Sequence, residues 1–103
     1  MKKIKITVGL NDKDTKKQKH FKKWYYKRIF KNLEYLAIDG ATLTESLGYY
    51  RHENGQTVKE KSINIELLFV EEVTAKNLAK LLKKEFNQES VVFAVEELNS
   101  ELI

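Results

Sequence analysis

The stretch ATLTESLGYYRHENGQTVKEKSINIELLFV, residues 41–70, decides the fold because it contains two extended segments around an Asn-Gly pair. Asn54-Gly55 between such segments is a strong signal of a β-hairpin, since a type I′ turn needs positive φ at both central residues. Each side offers about twelve residues, whereas strands in a packed sheet usually run about five to seven. We therefore predict a long hairpin whose distal half, residues 49–61, projects past the rest of the domain as an arm.

The register of this hairpin follows from the apolar residues of its second side. A strict two-residue turn would pair Leu43 with Glu66, and would turn the apolar set away from the core, because side chains alternate between the two faces of a sheet. One extra residue restores the register, so we predict a β-bulge near Gly48 or within residues 59–62. The apolar set expected on the core face is Ile63, Ile65, Leu67 and Phe69.

The N-terminal part of the chain predicts a strand followed by a helix. Residues 3–10, KIKITVGL, alternate apolar and polar side chains with the period of a strand that has one buried face. Thr15 and Gln18 have the spacing of a capping box, which predicts a helix from there to about Leu36. The core stripe expected on this helix is Phe21, Tyr25, Ile29, Leu33 and Leu36, with Tyr26 and Phe30 at its edge.

The C-terminal part predicts a second helix and a last strand. Residues 74–87 have helical periodicity with Thr74 as the N-cap, and residues 90–98 have the pattern of a strand. The resulting order βαββαβ predicts an α+β ferredoxin-like sandwich, a four-stranded antiparallel sheet with both helices on one face and one domain over residues 1–103. The core residues expected here are Leu78, Leu81, Leu82, Phe86, Val91, Phe93 and Val95.

Composition narrows the class of protein. The 103 residues include no cysteine and no apolar run of membrane-spanning or leader type, which excludes disulfides and thiolate metal sites and predicts a cytoplasmic protein without membrane contact. Residues 1–31 hold twelve Lys or Arg against two Asp, whereas the remaining residues hold seven bases against thirteen acids. Such a concentrated positive field attracts nucleic acid, anionic lipid or an acidic protein surface.

The predicted first helix has a basic face opposite its core stripe. Lys16, Lys17 and Lys19 are expected in its first turn, where cations interact unfavourably with the helix dipole, so something other than helix stability is expected to retain them. A basic stripe around an exposed indole suits phosphate contacts combined with base stacking, or an acidic protein partner; the alternative is a solvated face with the indole folded over the sheet edge. The residues predicted to bind a partner here are Lys16, His20, Lys23, Trp24, Lys27, Arg28 and Lys31.

Two other surfaces are open to contact. Tyr49, Tyr50 and Arg51 on the arm are predicted to bind a partner because Tyr and Arg are favoured anchors at interfaces, the alternative being a solvated hairpin without one. The open face of the sheet lacks the aromatic platform on which RNA-recognition domains stack bases, and could meet its copy in a dimer or remain in water. The outward residues on this face are Lys3, Lys5, Thr7, Thr42, Thr44, Ser46, Asn64, Glu66 and Leu68.

Signatures of known catalytic sites are missing from the sequence. His20 and His52 lie on different predicted elements without a third ligand at metal spacing. There is no cysteine nucleophile, no Gly-x-Ser-x-Gly and no glycine-rich phosphate loop after the first strand. Acylphosphatases share the fold, but residues 9–18 have no counterpart of their arginine-bearing loop. We therefore predict no catalytic residue, no metal site and no cofactor.

Several short motifs carry a resemblance. Gly48-x-Tyr50, Asn54-Gly55, Glu60-x-Ser62 and Gln88-Glu89-Ser90, together with VGLND at residues 8–12, resemble a group of small, uncharacterised ferredoxin-like domains from bacteria and their mobile elements. The likeness spans nearly the whole chain and implies the fold without an activity. The long connection between the second and third strands also looks like that of PII-type signalling proteins, which are trimers of this topology that bind nucleotides between subunits.

Three functional hypotheses follow. The first is a non-enzymatic, homo-oligomeric binding module that offers the basic helix and the hairpin to a nucleic acid, or to a protein that handles one, as a phage-type inhibitor does. The second is a PII-like sensor of a small anion or nucleotide. The third is a small dimeric α+β barrel enzyme that uses His20 or His52. For the tail from Leu98 to Ile103, the sequence is compatible with either a fifth strand or a segment that forms an interface.

Overall fold

The computed structural model describes residues 2–51 and 54–103 of the chain, except for the side chain of Tyr50. Six elements follow one another in the predicted order βαββαβ. Their bounds are β1 Lys2–Gly9, α1 Lys22–Tyr35, β2 Thr42–Arg51, β3 Thr57–Leu68, α2 Glu72–Glu85 and β4 Val92–Glu97. This is the α+β ferredoxin-like arrangement that the sequence predicts.

The four strands form one antiparallel sheet in the order β2-β3-β1-β4. Ile6 of β1 lies opposite Ile65 on one side and opposite Phe93 on the other. Its neighbour Lys5 lies opposite Glu66, so the alternation predicted for β1 separates an apolar face from a polar one. The apolar face packs against the helices, and the polar face is the open face of the sheet.

The core lies between the sheet and the two helices. The side chains that bury completely in it each contribute roughly 1.5–3 kcal/mol relative to exposure, and α1 supplies three of its buried apolar residues as its periodicity predicts. The buried apolar residues are Ile4, Ile6, Val8, Leu10, Tyr25, Ile29, Leu33, Ile63, Ile65, Leu67, Ala75, Leu78, Leu82 and Phe86.

Three residues expected in the core are exposed instead. Phe21 is 67% exposed because it precedes the first turn of α1. Phe69 is 58% exposed because it follows β3 with a φ of 60°, which turns its side chain out of the strand alternation. Val95 is 40% exposed because it lies on the edge strand β4. Each of these residues lies at the end of an element or on an edge strand of the sheet. At such positions, sequence periodicity does not predict whether other residues bury the side chain.

The register of the hairpin is as predicted, but the predicted bulge is wrong. Pairing between β2 and β3 is unbroken from Thr42 opposite Glu66 to Arg51 opposite Thr57. Gly48 is an ordinary member of this ladder, and so are the other residues at which a bulge was expected. The apolar residues of β3 therefore reach the core face without a break in either strand.

The extra residue lies in the connection at the tip of the hairpin. Five residues, 52–56, separate the paired ends of the strands, and an odd number moves the pairing by one relative to a two-residue turn. Gly55 has a φ of 85°, which is the left-handed conformation that favours glycine. The Asn54 side chain accepts a 3.0 Å hydrogen bond from the Gln56 N–H and so fixes the turn.

The first helix begins later than predicted. The Thr15 N–H donates to the Asp12 carboxylate at 3.0 Å, and Lys16 has a φ of 62° that no helix contains. Thr15 and Gln18, the residues of the predicted capping box, therefore lie in a loop before the helix. The helix α1 begins at Lys22, with Phe21 as its N-cap. Three lysines expected in the first helical turn therefore lie outside the helix, namely Lys16, Lys17 and Lys19.

The second helix begins earlier than predicted. Glu71, rather than Thr74, is the N-cap of α2. The Ala75 N–H donates to the Glu71 carbonyl at 3.0 Å, which adds a turn before the expected start. Glu72 lies in this first turn, where a carboxylate interacts favourably with the helix dipole.

The distal part of the hairpin forms the predicted arm. The β1–β3 ladder ends where the Leu10 N–H donates to the Lys61 carbonyl, so residues 57–60 pair with β2 alone. The molecule is correspondingly elongated, with principal extents of 48 × 26 × 22 Å. Among the described residues, neither helix has the length and apolar character needed to cross a membrane.

Candidate functional site

An open cleft of about 910 Å³ lies where β1 leaves the sheet and the arm begins. Three segments that are distant in sequence form its walls because the topology brings them to one end of the sheet. The loop after β1 contributes residues 11–13 and Lys16, the arm contributes Val58 and Glu60 among others, and the connection between α2 and β4 contributes residues 88–90.

The backbone of Asn11 holds two polar side chains in this cleft. Its N–H donates to Glu60 Oε2 at 2.9 Å, and its carbonyl accepts a hydrogen bond from Gln88 Nε2 at 2.8 Å. Gln88 is almost completely buried and donates a further 3.2 Å hydrogen bond to the Phe86 carbonyl. A carboxylate from β3 and an amide from beyond α2 are thereby fixed beside the end of β1.

Asp12 organises the loop that forms the first wall. Its carboxylate is 5% exposed and accepts hydrogen bonds from the Asp14 and Thr15 N–H groups, both at 3.0 Å, and from the Asn87 amide at 2.8 Å. Lys19 Nζ lies 3.5 Å from it. The Asn87 hydrogen bond, followed by the Thr15 N–H, holds the pKa of Asp12 well below its usual range, so this carboxylate stays ionised.

Charges of opposite sign line the cleft. Lys13 and Lys16 lie on the loop, whereas Glu60 and Glu89 lie on the arm and on the connection after α2. Lys16 has left-handed backbone, which is uncommon for a residue other than glycine, and its N–H donates to the Asp12 carbonyl at 2.8 Å. The arrangement suits a small ligand that carries both positive and negative groups.

The aromatic centre of the predicted basic face packs within the protein. Trp24 stacks on His20 with ring centroids 3.7 Å apart and meets the edge of Phe86 at 5.3 Å. The Arg28 guanidinium lies 5.6 Å from the indole centroid and 4.0 Å from a Glu85 carboxylate oxygen. Trp24 is partly buried, so its ring fills the space between α1 and the end of α2.

The other predicted partner-binding residues divide between two places. Lys23, Lys27 and Lys31 are exposed along one side of α1, at the spacing of successive turns. Lys16 lies apart from them, in the wall of the cleft. The structure therefore keeps three of the predicted lysines together and assigns the fourth to another site.

The aromatic and basic residues of the arm are at its distal end. Tyr49 is 62% exposed on the helix side of the sheet, and Arg51 is the exposed last residue of β2. The side chain of Tyr50 and the whole of His52, which the enzyme hypothesis invokes, lie outside the described residues.

No binding role was predicted from the sequence for Glu60 or Gln88. A signal for them was present, since Glu60-x-Ser62 and Gln88-Glu89-Ser90 are among the motifs that carry the resemblance described above. Glu60 and residues 88–90 line the cleft, as does Asn54 of the turn. These motifs therefore cluster around one site.

In residues 2–51 and 54–103, no three His, Asp or Glu side chains are grouped as metal ligands.

Several solved structures are similar to this chain. A phage SAM lyase in complex with S-methyl-5′-thioadenosine is 26% identical, with a TM-score of 0.74 over 93% of this chain and 80% of that one. CutA1 from Pyrococcus horikoshii is 16% identical, with a TM-score of 0.60 over 99% of this chain and 87% of that one. A PII-like CutA from Nostoc sp. PCC 7120 is 15% identical, with a TM-score of 0.58 over 96% and 82%.

The two CutA likenesses show the shared fold, and the phage SAM lyase has a higher sequence identity to this chain. No curated protein matches this chain at a significant level. A family model matches residues 3–101, which is nearly the whole chain. The chain therefore belongs to the family described as a protein of unknown function, DUF3574.

Proposed function

We propose that this protein binds S-adenosylmethionine in the cleft at the end of β1 and cleaves it to S-methyl-5′-thioadenosine. The observation that carries the proposal is the fixed pair Glu60 and Gln88 in a cleft of about 910 Å³, in a chain 26% identical to a phage SAM lyase that was solved with that thioadenosine bound. A cleft of this size accommodates a nucleoside of drug-like dimensions.

The charges of the cleft match those of S-adenosylmethionine. The ligand carries a sulfonium, an ammonium and a carboxylate together with two ribose hydroxyls. Lys13 and Lys16 supply cations for the carboxylate, and Glu60 supplies an acceptor for ribose hydroxyls or the ammonium. Hydrogen bonds to charged groups are about twice as strong as neutral ones, so these residues would fix the orientation of the ligand.

The proposed cleavage balances without a further reactant. The bond from the sulfonium sulfur to the amino acid chain breaks, and both electrons stay on the sulfur, which becomes the neutral thioether of the thioadenosine. The carboxylate oxygen of the same chain forms a bond to the released carbon and closes a five-membered lactone. The protein contributes by holding the carboxylate and the carbon in line, because positioning of groups within one molecule accelerates ring closure strongly.

Mass spectrometry of S-adenosylmethionine incubated with the protein tests this proposal. Release of S-methyl-5′-thioadenosine above the rate of spontaneous decay is the expected result, and Glu60→Gln should slow it by about tenfold or more because an ionic acceptor is lost. Glu66→Gln is the matched control, since Glu66 is on the same strand and face but pairs with Lys3, away from the cleft. No release by the unaltered protein, at any concentration tested, would refute the proposal.

We propose as a second function that the exposed side of α1 binds an anionic partner, with nucleic acid as the class to test. Lys23, Lys27 and Lys31 are the observation that favours it, because all three are exposed on one helix side and none is paired with a carboxylate in the described ion pairs. Fluorescence anisotropy of labelled DNA and RNA tests the proposal. Absence of binding at low salt would overturn it.

We also propose that the arm contacts a second copy of this chain. Leu47 and Tyr49 are 66% and 62% exposed on the helix side of the sheet, where residues 57–61 of β3 have β2 as their strand partner. Exposed apolar side chains grouped on a projecting hairpin are typical of a protein interface. Light scattering after size exclusion should give an oligomer that Tyr49→Ala weakens, and a monomer at high concentration would contradict the proposal.

A further inference from the structure

Gly9, the last residue of β1, lies on the open face opposite Ser62. A Cβ atom built on Gly9 would lie 2.7 Å from Glu60 Oε1 and 2.8 Å from Gln88 Oε1. These distances are far inside van der Waals contact, so no side chain fits at Gly9 while Glu60 and Gln88 keep their positions. These two side-chain oxygens therefore occupy the space that a side chain at Gly9 would need.

The backbone gives no other reason for glycine at this position. The φ of Gly9 lies outside the left-handed region, so an alanine could adopt the same conformation. Glycine inside a strand weakens that strand through its extra conformational freedom. The space taken by Glu60 and Gln88 is therefore the feature of the structure that requires glycine here.

The residues that follow Gly9 complete the arrangement. The Leu10 N–H donates to the Lys61 carbonyl at 2.9 Å and continues the strand ladder past the last paired residue. Asn11 then binds the second polar atom of each terminal group. Its N–H donates to Glu60 Oε2, and its carbonyl accepts a hydrogen bond from Gln88 Nε2. One short segment thus both makes room for the two side chains and binds them.

We infer that Gly9 is the positioning residue of the cleft, and that its lack of a side chain sets Glu60 and Gln88 in the geometry that binds the thionucleoside. This inference rests on the proposed function, and it adds a residue that touches no ligand. The atoms that a Cβ would strike are the far ends of flexible side chains. A methyl group at Gly9 should therefore displace the binding groups while the fold persists.

Isothermal titration calorimetry with S-methyl-5′-thioadenosine tests this inference in a double-mutant cycle of Gly9→Ala and Glu60→Ala. We expect Gly9→Ala to weaken binding by about tenfold or more, since hydrogen bonds to a charged group are lost. In the Glu60→Ala background the same change should cost much less, because one of the two displaced groups is already absent. Gly40→Ala is the matched control, since nothing lies within 4 Å of a Cβ at Gly40.

The outcomes separate this inference from the proposed function. No binding to the unaltered protein would overturn both. Two results would overturn the role of Gly9 alone. One is binding that Gly9→Ala leaves unchanged, and the other is full additivity of the losses in binding free energy caused by Gly9→Ala and Glu60→Ala. Should Gly9→Ala lower the melting temperature so far that binding cannot be measured, the melting temperature of the Gly9→Ala, Glu60→Ala variant decides. Recovery supports the steric origin, and no recovery contradicts it.

Discussion

The Asn87 amide donates a 2.8 Å hydrogen bond to the Asp12 carboxylate, and the same nitrogen lies 2.9 Å from Asp14 Oδ2. This contact joins the loop after β1 to the connection after α2, next to Gln88 in the same connection. Asn87 has a φ of 47°, a left-handed conformation that asparagine tolerates better than most residues. The contact therefore supports the wall of the cleft through Asp12, which lines it.

Acid should weaken this support, because the pKa of Asp12 is lowered in the folded state. The unfolded chain binds the proton first, so the stabilisation is complete above the ordinary aspartate pKa of about 3.9 and is lost as the pH falls below it. Melting temperatures of the protein and of Asp12→Asn, measured between about pH 7 and pH 3, should converge as the pH falls. A constant difference between the two would contradict the role given to this carboxylate.

Alkali should weaken a second cluster, in which Glu45 accepts hydrogen bonds from the hydroxyls of Tyr25 at 2.8 Å and Tyr26 at 3.0 Å. Burial, followed by the hydrogen bond to Glu45, raises the pKa of both tyrosines. The unfolded chain loses these protons first, so stability should fall as the pH rises above about 10. Absorbance titration should show tyrosines that ionise late, and Tyr25→Phe should remove the latest of them.

The control for this titration is Tyr35→Phe, because Tyr35 is 78% exposed. That change should leave the late component in place. A late component that persists unchanged in Tyr25→Phe would contradict the assignment.

Ile65→Ala should destabilise the fold strongly. Ile65 is completely buried and lies between Ile6 and Leu43 in the sheet, so its truncation should leave a cavity and cost about 2–5 kcal/mol. Urea denaturation measures this loss as a shift of the midpoint. Leu47→Ala, on an exposed position of β2, should change the free energy of unfolding of the monomer by less than about 0.5 kcal/mol. Equal effects would contradict the placement of the core.

Reversal of the exposed α1 lysines tests the second proposed function. Lys23→Glu, Lys27→Glu and Lys31→Glu together should abolish nucleic-acid binding, and the affinity of the unaltered protein should fall by roughly two to three orders of magnitude between about 50 and 200 mM salt if four to six phosphates are contacted. Lys76→Glu, Lys80→Glu and Lys84→Glu on α2 provide a matched control with the same change of charge. Binding that survives the α1 reversal would exclude this face.

Local patterns predicted the elements well because each depends on neighbours in sequence. The alternation around Ile6 fixed β1, and the periodicity through Ile29 fixed the buried side of α1. The capping box failed because Asp12, three residues before Thr15, captures its N–H. The register was right for a physical reason, the need to bury Ile65, while the place of the extra residue depended on a turn that this pattern does not specify.

The site was harder to predict because its members are distant in sequence. Glu60 and Gln88 meet only after β3 pairs with β1 and α2 returns the chain to the same edge. The reason for glycine at position 9 lies in side chains from both of those segments. Trp24 was expected to be exposed from its helical position, yet Phe86 at the end of α2 covers part of it. Contacts of this kind have no local signature.

Nuclear magnetic resonance of the isotope-labelled protein, titrated with S-methyl-5′-thioadenosine, tests whether the thionucleoside binds in the cleft at the end of β1. We expect the largest shifts of backbone amides at Gly9 to Asn11 and Gln88 to Ser90, with little change along Lys23 to Lys31. A titration without shifts would contradict ligand binding. Shifts confined to α1 or to the distal arm would contradict its location in the cleft.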